Sequence, residues 1–281
     1  DTKQFSPVGR FDVVMLATDC SEYSAGAERV AIELCAHQSA HLHILSAIAA
    51  SGVTGWLGPQ ADNDASEALK ENHALIAQRA EQAGVACTTH LVAGDDPYEV
   101  IVENARSLTA DVIVMGRRGR RGLARLMLGD ATAKVIGYAP CAVLVVPEEA
   151  EMWSSALLAT DGSRFSDAAA VTVAALVKND KIPLTVLSVM VPFHSAERQA
   201  EAGPIVERVV DYLKEQGIES EGIVAEGNAD EAILEISEQR KAGLIVLGSF
   251  GRTGFNRMLF GSKAERVINH TKGSIMVVRG G

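Results

Sequence analysis

Leu157-Leu158-Ala159-Thr160-Asp161-Gly162-Ser163 is an apolar run that ends in a small polar turn carrying one carboxylate. The chain holds an earlier version 142 residues upstream, where Val13 to Leu16 lead into Ala17-Thr18-Asp19-Cys20-Ser21. A second pair matches further on: Val112-Ile113-Val114-Met115-Gly116 and Leu244-Ile245-Val246-Leu247-Gly248, offset by 132. Fixed-offset self-similarity marks a duplicated structural unit. The offset falls by ten, so the first copy carries about ten extra residues between the two matches. Ala50 to Asn63, rich in Gly and small or polar residues, reads as the loop that holds them. Pro147-Glu148-Glu149-Ala150-Glu151 reads as an exposed linker, which predicts domains at 1–148 and 149–281.

Short apolar runs alternate with amphipathic stretches in both copies. Strands are expected near 12–17, 41–47, 86–92, 111–115 and 141–146, then 155–159, 183–189, 220–225, 243–247 and 274–278. Helices are expected near 23–38, 64–83, 97–108 and 130–138, then 166–178, 195–216, 229–240 and 262–270. This βαβ alternation predicts an α/β protein of two tandem doubly wound domains, each a five-stranded mostly parallel sheet with four helices. In such sheets ligands sit beyond the carboxyl ends of the strands, where strand order reverses.

Composition agrees. The 281 residues are 47% hydrophobic and 22% charged, too apolar for a disordered chain. Aromatics are only 5%, while Ala, Val, Leu and Ile abound, which suits a parallel sheet under helices. A net charge of −10 disfavours general binding to nucleic acid or anionic membrane. No apolar run reaches ~18 residues, the minimum for a membrane span. Cys20, Cys35, Cys87 and Cys141 show no metal or disulfide spacing, and Asp1 to Arg10 lacks a signal-peptide pattern. A reducing, cytoplasmic location is the expectation.

After the fourth strand of copy two comes Gly248-Ser249-Phe250-Gly251, then nine residues, then Gly261-Ser262 opening a helix. Glycines let backbone N–H groups approach an anion, and a helix start adds unpaired donors and a favourable dipole. Ser262 is suited to capping that helix or to bonding a phosphate oxygen. A purely structural reading, with glycines as turns and Ser262 as a cap, uses the same residues. Asp161, at the same sheet edge, favours a binding site, although it too could cap the following helix.

Gly248-x2-Gly251-x9-Gly261-Ser262 resembles the nucleotide-binding signature of universal stress proteins, and Ala159-Thr160-Asp161-Gly162-Ser163 resembles that family's opening motif. The resemblance covers both copies. It implies a Rossmann-like domain of the adenine nucleotide alpha hydrolase kind, and ATP, ADP or AMP, with or without Mg²⁺, in copy two. By that resemblance Ala159, Thr160 and Asp161 belong to the nucleotide site, with Asp161 at the ribose or adenine side. Val189 offers its backbone to the adenine edge, or is simply core. Leu247 and Gly248 border the ribose and α-phosphate, and Gly251, Gly261, Ser262 and Lys263 hold the phosphates.

Copy one keeps Asp19, Gly116, Gly119 and Gly129 but has Asp130 in place of the serine. At ~4 Å and an effective dielectric of ~20, a carboxylate there repels each phosphate charge by ~4 kcal/mol. Asp130 is also a good N-cap, so its structural role survives. Arg117, Arg118, Arg120, Arg121 and Arg125 crowd the same loop. They read as compensation for Asp130, as a site for another anion or an acidic partner, or as a solvated basic loop. Copy two is thus expected to be the working site and copy one a degenerate one.

His41 and His43 share a strand face, with His37 upstream, but no acid or cysteine completes a metal set. Cys20 beside Asp19 is either a redox-sensitive thiol or inert. No hydrolase, zincin, Walker or kinase motif is present. The resemblance therefore favours a nucleotide-binding stress-response regulator without assigned catalytic residues. Weak ATP hydrolysis or self-phosphorylation, and an N-terminal module for another anion or a metal, are the alternatives. The apolar final strands, Cys141 to Val146 and Ser274 to Val278, would pair the copies as an internal pseudo-dimer or pair two chains as a homodimer.

Overall fold

The structure, a computed structural model, describes residues 10–49, 59–119, 128–178, 180–251 and 260–279. The chain divides into two compact units, Phe11–Glu151 and one holding Met152–Gly281. The division falls at the end of the acidic segment expected to be the linker.

In the first unit, the strands are β1 (Val13–Ala17), β2 (His41–Ala49), β3 (Cys87–Gly94), β4 (Val112–Gly116) and β5 (Ala142–Val146). Between them lie α1 (Ala25–Gln38), α2 (Pro59–Gln82), α3 (Pro97–Ser107) and α4 (Asp130–Tyr138). The strands pair in the order β3-β2-β1-β4-β5, all parallel. α1 packs with α2 and α3 with α4, giving two helical layers.

The second unit repeats the pattern with β6 (Ala156–Ala159), α5 (Arg164–Val177), β7 (Leu184–Met190), α6 (Ala196–Ala200), α7 (Ala202–Glu215), β8 (Ser220–Glu226), α8 (Ala229–Gln239), β9 (Leu244–Gly248), α9 (Ser262–His270) and β10 (Ser274–Val278). Its strands run β10-β9-β6-β7-β8, again all parallel. α5 packs with α7, and α8 with α9.

The local chemistry explains the elements. β4 and β9 are five-residue apolar runs covered on both faces; Ile113, Val114, Ile245 and Val246 are fully buried. Each such side chain contributes roughly 1.5–3 kcal/mol of hydrophobic stabilisation. β3 and β8 lie outermost beside β2 and β7 and are half exposed, so their side chains alternate. Asp96 caps α3 by accepting from the Tyr98 N–H, with Pro97 at the first helical position, where its missing N–H costs nothing. Ser163 caps α5 through the Ser166 N–H.

Two expectations need correction. The segment expected as a loop through Asn63 is already helical from Pro59, since proline suits a first helical turn; residues 50–58 lie outside the described residues. The single helix expected at 195–216 is two, which gives this unit five helices among the described residues. Pro204 has no N–H for the Ala200 carbonyl and its ring would clash with it, so one helix ends there and another begins.

Strand order reverses between β1 and β4 and between β6 and β9. Each unit thus has a crevice at the carboxyl ends of those strands, where α/β sheets bind ligands. Among the described residues no helix is long and apolar enough to cross a membrane.

Candidate functional site

At the crevice of the second unit lies a cavity of about 550 Å³, within the ordinary range for small-molecule sites. Ala159, Thr160, Asp161, Val189, Leu247, Gly248, Gly251, Gly261, Ser262 and Lys263 all line it. The structure therefore brings together every residue that the sequence singled out in this copy. Val191, Ala202, Ile205 and Ile233 add apolar wall, and His194, Arg198 and Asn228 add polar groups that the motif did not reveal.

The floor is built from the end of β6. Thr160 is buried, its hydroxyl donating to Ser166 Oγ at 3.2 Å and accepting from the Gly162 N–H at 3.3 Å. Gly162 has φ +72°, a left-handed turn that glycine adopts freely. The turn lets Asp161 Oδ1 accept from the Ser163 N–H at 3.0 Å. Asp161 Oδ2 faces Gly251, where a Cβ would come within 2.9 Å of it. Asp161 thus both orders the start of α5 and borders the glycine loop. Val189, half-exposed on the cavity wall, is not a core residue.

The signature glycines have different reasons. A Cβ on Gly248 would lie 2.7 Å from the Phe165 backbone, so this glycine lets β9 approach the first turn of α5. Gly261 has no such neighbour among the described residues: its Cβ would meet nothing nearer there than Ser249 O at 3.6 Å, and its backbone is ordinary extended chain (φ −70°, ψ 139°). Neither the packing of the described residues nor the backbone conformation requires glycine there. The small residue leaves space on the cavity side. Gly261, not Ser262, is the N-cap of α9, and no side chain caps that helix; Ser262 is the first helical residue. Its expected capping role is corrected, because the last extended backbone belongs to Gly261. The first-turn residues Ser262, Lys263 and Ala264, whose N–H groups find no acceptor in a preceding turn of α9, line the cavity.

Ser249, which the motif reading passed over, is a fully buried polar residue of the cavity wall. Its hydroxyl has no hydrogen-bond partner among the described residues. A buried unsatisfied hydroxyl costs roughly 1–3 kcal/mol, so such a group at a cavity wall points to a ligand or water. The signal was present as the residue after the first signature glycine.

Lys263 departs from expectation. Its Nζ lies 2.5 Å from Asp230 Oδ1, and Arg266 Nη1 lies 3.0 Å from Asp230 Oδ2. Asp230 is only 1% exposed. Burial alone would raise its carboxyl. The Lys263 hydrogen bond, its own backbone N–H and the charges of Lys263 and Arg266 outweigh burial and hold it below the usual carboxylate value. The lysine charge is therefore already engaged.

Copy one reproduces the scaffold with other chemistry. Asp19 Oδ1 accepts from Ser21 N, Ser21 Oγ and Ser24 Oγ at 2.6–3.0 Å. A Cβ on Gly119 would come within 2.7 Å of Asp19 Oδ2, as Gly251 does with Asp161. Gly116 packs on the Tyr23 carbonyl as Gly248 packs on Phe165. Gly129 is the N-cap of α4, so Asp130 is the first helical residue and not the cap expected of it. Asp130 is 83% exposed and pairs with Lys134 Nζ at 3.0 Å, which also reaches Asp96 at 3.4 Å. Solvent and Lys134 thus screen it, and the ~4 kcal/mol expected above overstates its repulsion. The larger change is Arg117 at the position of Ser249. Burial, then the nearby Arg118, pushes the Arg117 pKa down. Arg118 stacks over Tyr23 at 4.2 Å and lies 3.8 Å from Glu148. Arg120, Arg121 and Arg125 lie outside the described residues.

Among the weaker candidates, His43 Nδ1 lies 2.9 Å from His90 Nε2 on the neighbouring strand, and His41 Nε2 lies 2.9 Å from Thr88 Oγ1. His90 completes a cluster that the sequence showed only in part. Among the described residues no three His, Cys, Asp or Glu side chains are arranged to hold a metal ion. Cys20 sits at φ +54°, and burial, followed by Glu28, pushes its thiol up, away from the reactive thiolate.

Fold and site together define a tandem doubly wound α/β protein with a cavity at the sheet crevice of its C-terminal copy. The Universal stress protein family pattern matches residues 10–147 and 152–279, so the chain belongs to the universal stress protein family. It is 25% identical to a universal stress protein of Mycolicibacterium smegmatis over 95% of its own length and 96% of that relative's. One from Methanocaldococcus jannaschii is 35% identical over 137 residues, 47% of this chain and 80% of the relative. The crystal structure of a universal stress protein from Archaeoglobus fulgidus shares the fold, with a TM-score of 0.79 over 96% of this chain and 98% of that one at 22% identity.

Proposed function

We propose that the C-terminal unit binds an adenine nucleotide, ATP, ADP or AMP, and that the protein acts as a nucleotide-responsive member of its family. The observation that carries this is the cavity wall at Gly261. Among the described residues, a glycine that no close contact requires stands there before a helix without a side-chain cap, beside the buried Ser249 hydroxyl, which has no partner. That donor set suits a phosphate: backbone N–H groups, a hydroxyl and a helix dipole. The residues fit the group. Gly251, Gly261, Ser262 and Ser249 would hold phosphates, Asp161 the ribose, and Val189, Val191 and Ile205 the base. The bound nucleotide would supply charge and shape for a conformational response. Mg²⁺ would enter with the polyphosphate.

Mass spectrometry of the small molecule that co-purifies, followed by calorimetric titration of ATP, ADP and AMP, tests the reading. An adenine nucleotide retained at one per chain supports it. No binding of any of the three overturns it.

A further inference from the structure

Asp230 is an expensive residue. It is a nearly fully buried carboxylate at the second position of α8, ion-paired to two cations of α9 that are each about half exposed. Burying a carboxylate forfeits hydration that an ion pair only partly repays, so an apolar or aromatic residue would serve packing as well. Copy one shows that it does. At the equivalent places α3 carries Tyr98, and α4 carries Ala131 and Lys134. Those two helices pack as α8 and α9 do, with Lys134 over the Tyr98 ring at 5.0 Å. The Asp230–Lys263 pair has no counterpart at Tyr98 and Ala131 of copy one, and Lys263 lines the C-terminal cavity at the start of α9.

Resting on the nucleotide reading above, we propose that Asp230 is a specificity-determining residue. By holding Lys263 it limits how much affinity each added phosphate gains. With Asp230 ionised, Lys263, Arg266 and Asp230 present a net charge of one. Without it they present two, and Lys263 is free to turn toward the ligand. The carboxylate competes with phosphate for the same ammonium, so it narrows the preference for triphosphate over monophosphate and nucleoside.

The test is calorimetric titration of adenosine, AMP and ATP into wild type and Asp230→Asn, which keeps the side chain's shape. The variant is expected to bind ATP about tenfold more tightly, AMP about twofold, and adenosine unchanged, with the ATP gain shrinking as salt is raised. The gain should vanish in Asp230→Asn/Lys263→Met. Adenosine binding reports an intact cavity and separates this effect from misfolding. If adenosine binds and the ATP-to-adenosine ratio is unchanged or falls, the proposal is overturned while the nucleotide reading stands. If no ligand binds either protein, both are overturned.

Discussion

Asp161 Oδ2 lies 2.9 Å from the point where a Cβ would stand on Gly251. The carboxylate at the end of β6 and the second signature glycine therefore form one surface, and Asp19 with Gly119 repeats the relationship at 2.7 Å in the first copy.

Gly251→Ala is expected to push the Asp161 carboxylate out of place. ATP affinity should fall about tenfold, with little change in melting temperature, because the displaced group is a side chain bordering open space. Gly119→Ala should leave ATP affinity unchanged. Calorimetric titration of both variants reads the difference.

Gly248→Ala acts on the fold. Its Cβ would lie 2.7 Å from the Phe165 backbone, which cannot yield without moving α5 from β9. A loss of about 1–3 kcal/mol follows from overpacking, visible in urea denaturation. Gly261→Ala, with 3.6 Å of clearance, should cost far less stability.

Cys20 occupies the left-handed position that Gly162 fills in the second copy. Cys20→Gly should relieve the strain. The greater freedom of glycine in the unfolded chain offsets part of it, leaving a net gain of about 0.5 kcal/mol. A lower denaturation midpoint would contradict this.

Burial, then neighbouring histidines, lowers the pKa values of His43 and His90; burial and then His90 lower that of His73. The unfolded chain takes up these protons near pH 6.5 and the folded chain only at lower pH. Stability should therefore be fully present above pH 7. It should fall as pH drops below about 6.5 and level off once the folded values are passed. His43→Gln should flatten that profile in denaturation series between pH 7.5 and 5.

The backbone was legible because it rests on period and repetition. Ser274–Val278 and Asp130–Tyr138 could be read to the residue, since β-branched runs and amphipathic spacing act locally. The break before α7 was signalled by Pro204 but masked by strong helical spacing on both sides. The site was legible as positions on a sheet edge, because topology fixes where strand ends go. What each side chain does there was not. Asp230 looks in sequence like any acid of an acidic helix, and only packing shows that it is buried and holds Lys263. Ser249 and Arg117 differ by one letter at matching positions. Their consequence, a buried hydroxyl without a partner among the described residues in one copy and a half-buried guanidinium in the other, depends on neighbours far along the chain.

One nucleotide site per chain, at Gly261, has a direct readout: the ATP binding stoichiometry of wild type, Gly261→Asp and Gly129→Asp, each confirmed folded by circular dichroism. One ATP per chain is predicted for wild type and Gly129→Asp, and none for Gly261→Asp. Undiminished binding in Gly261→Asp, or two sites in wild type, would contradict it.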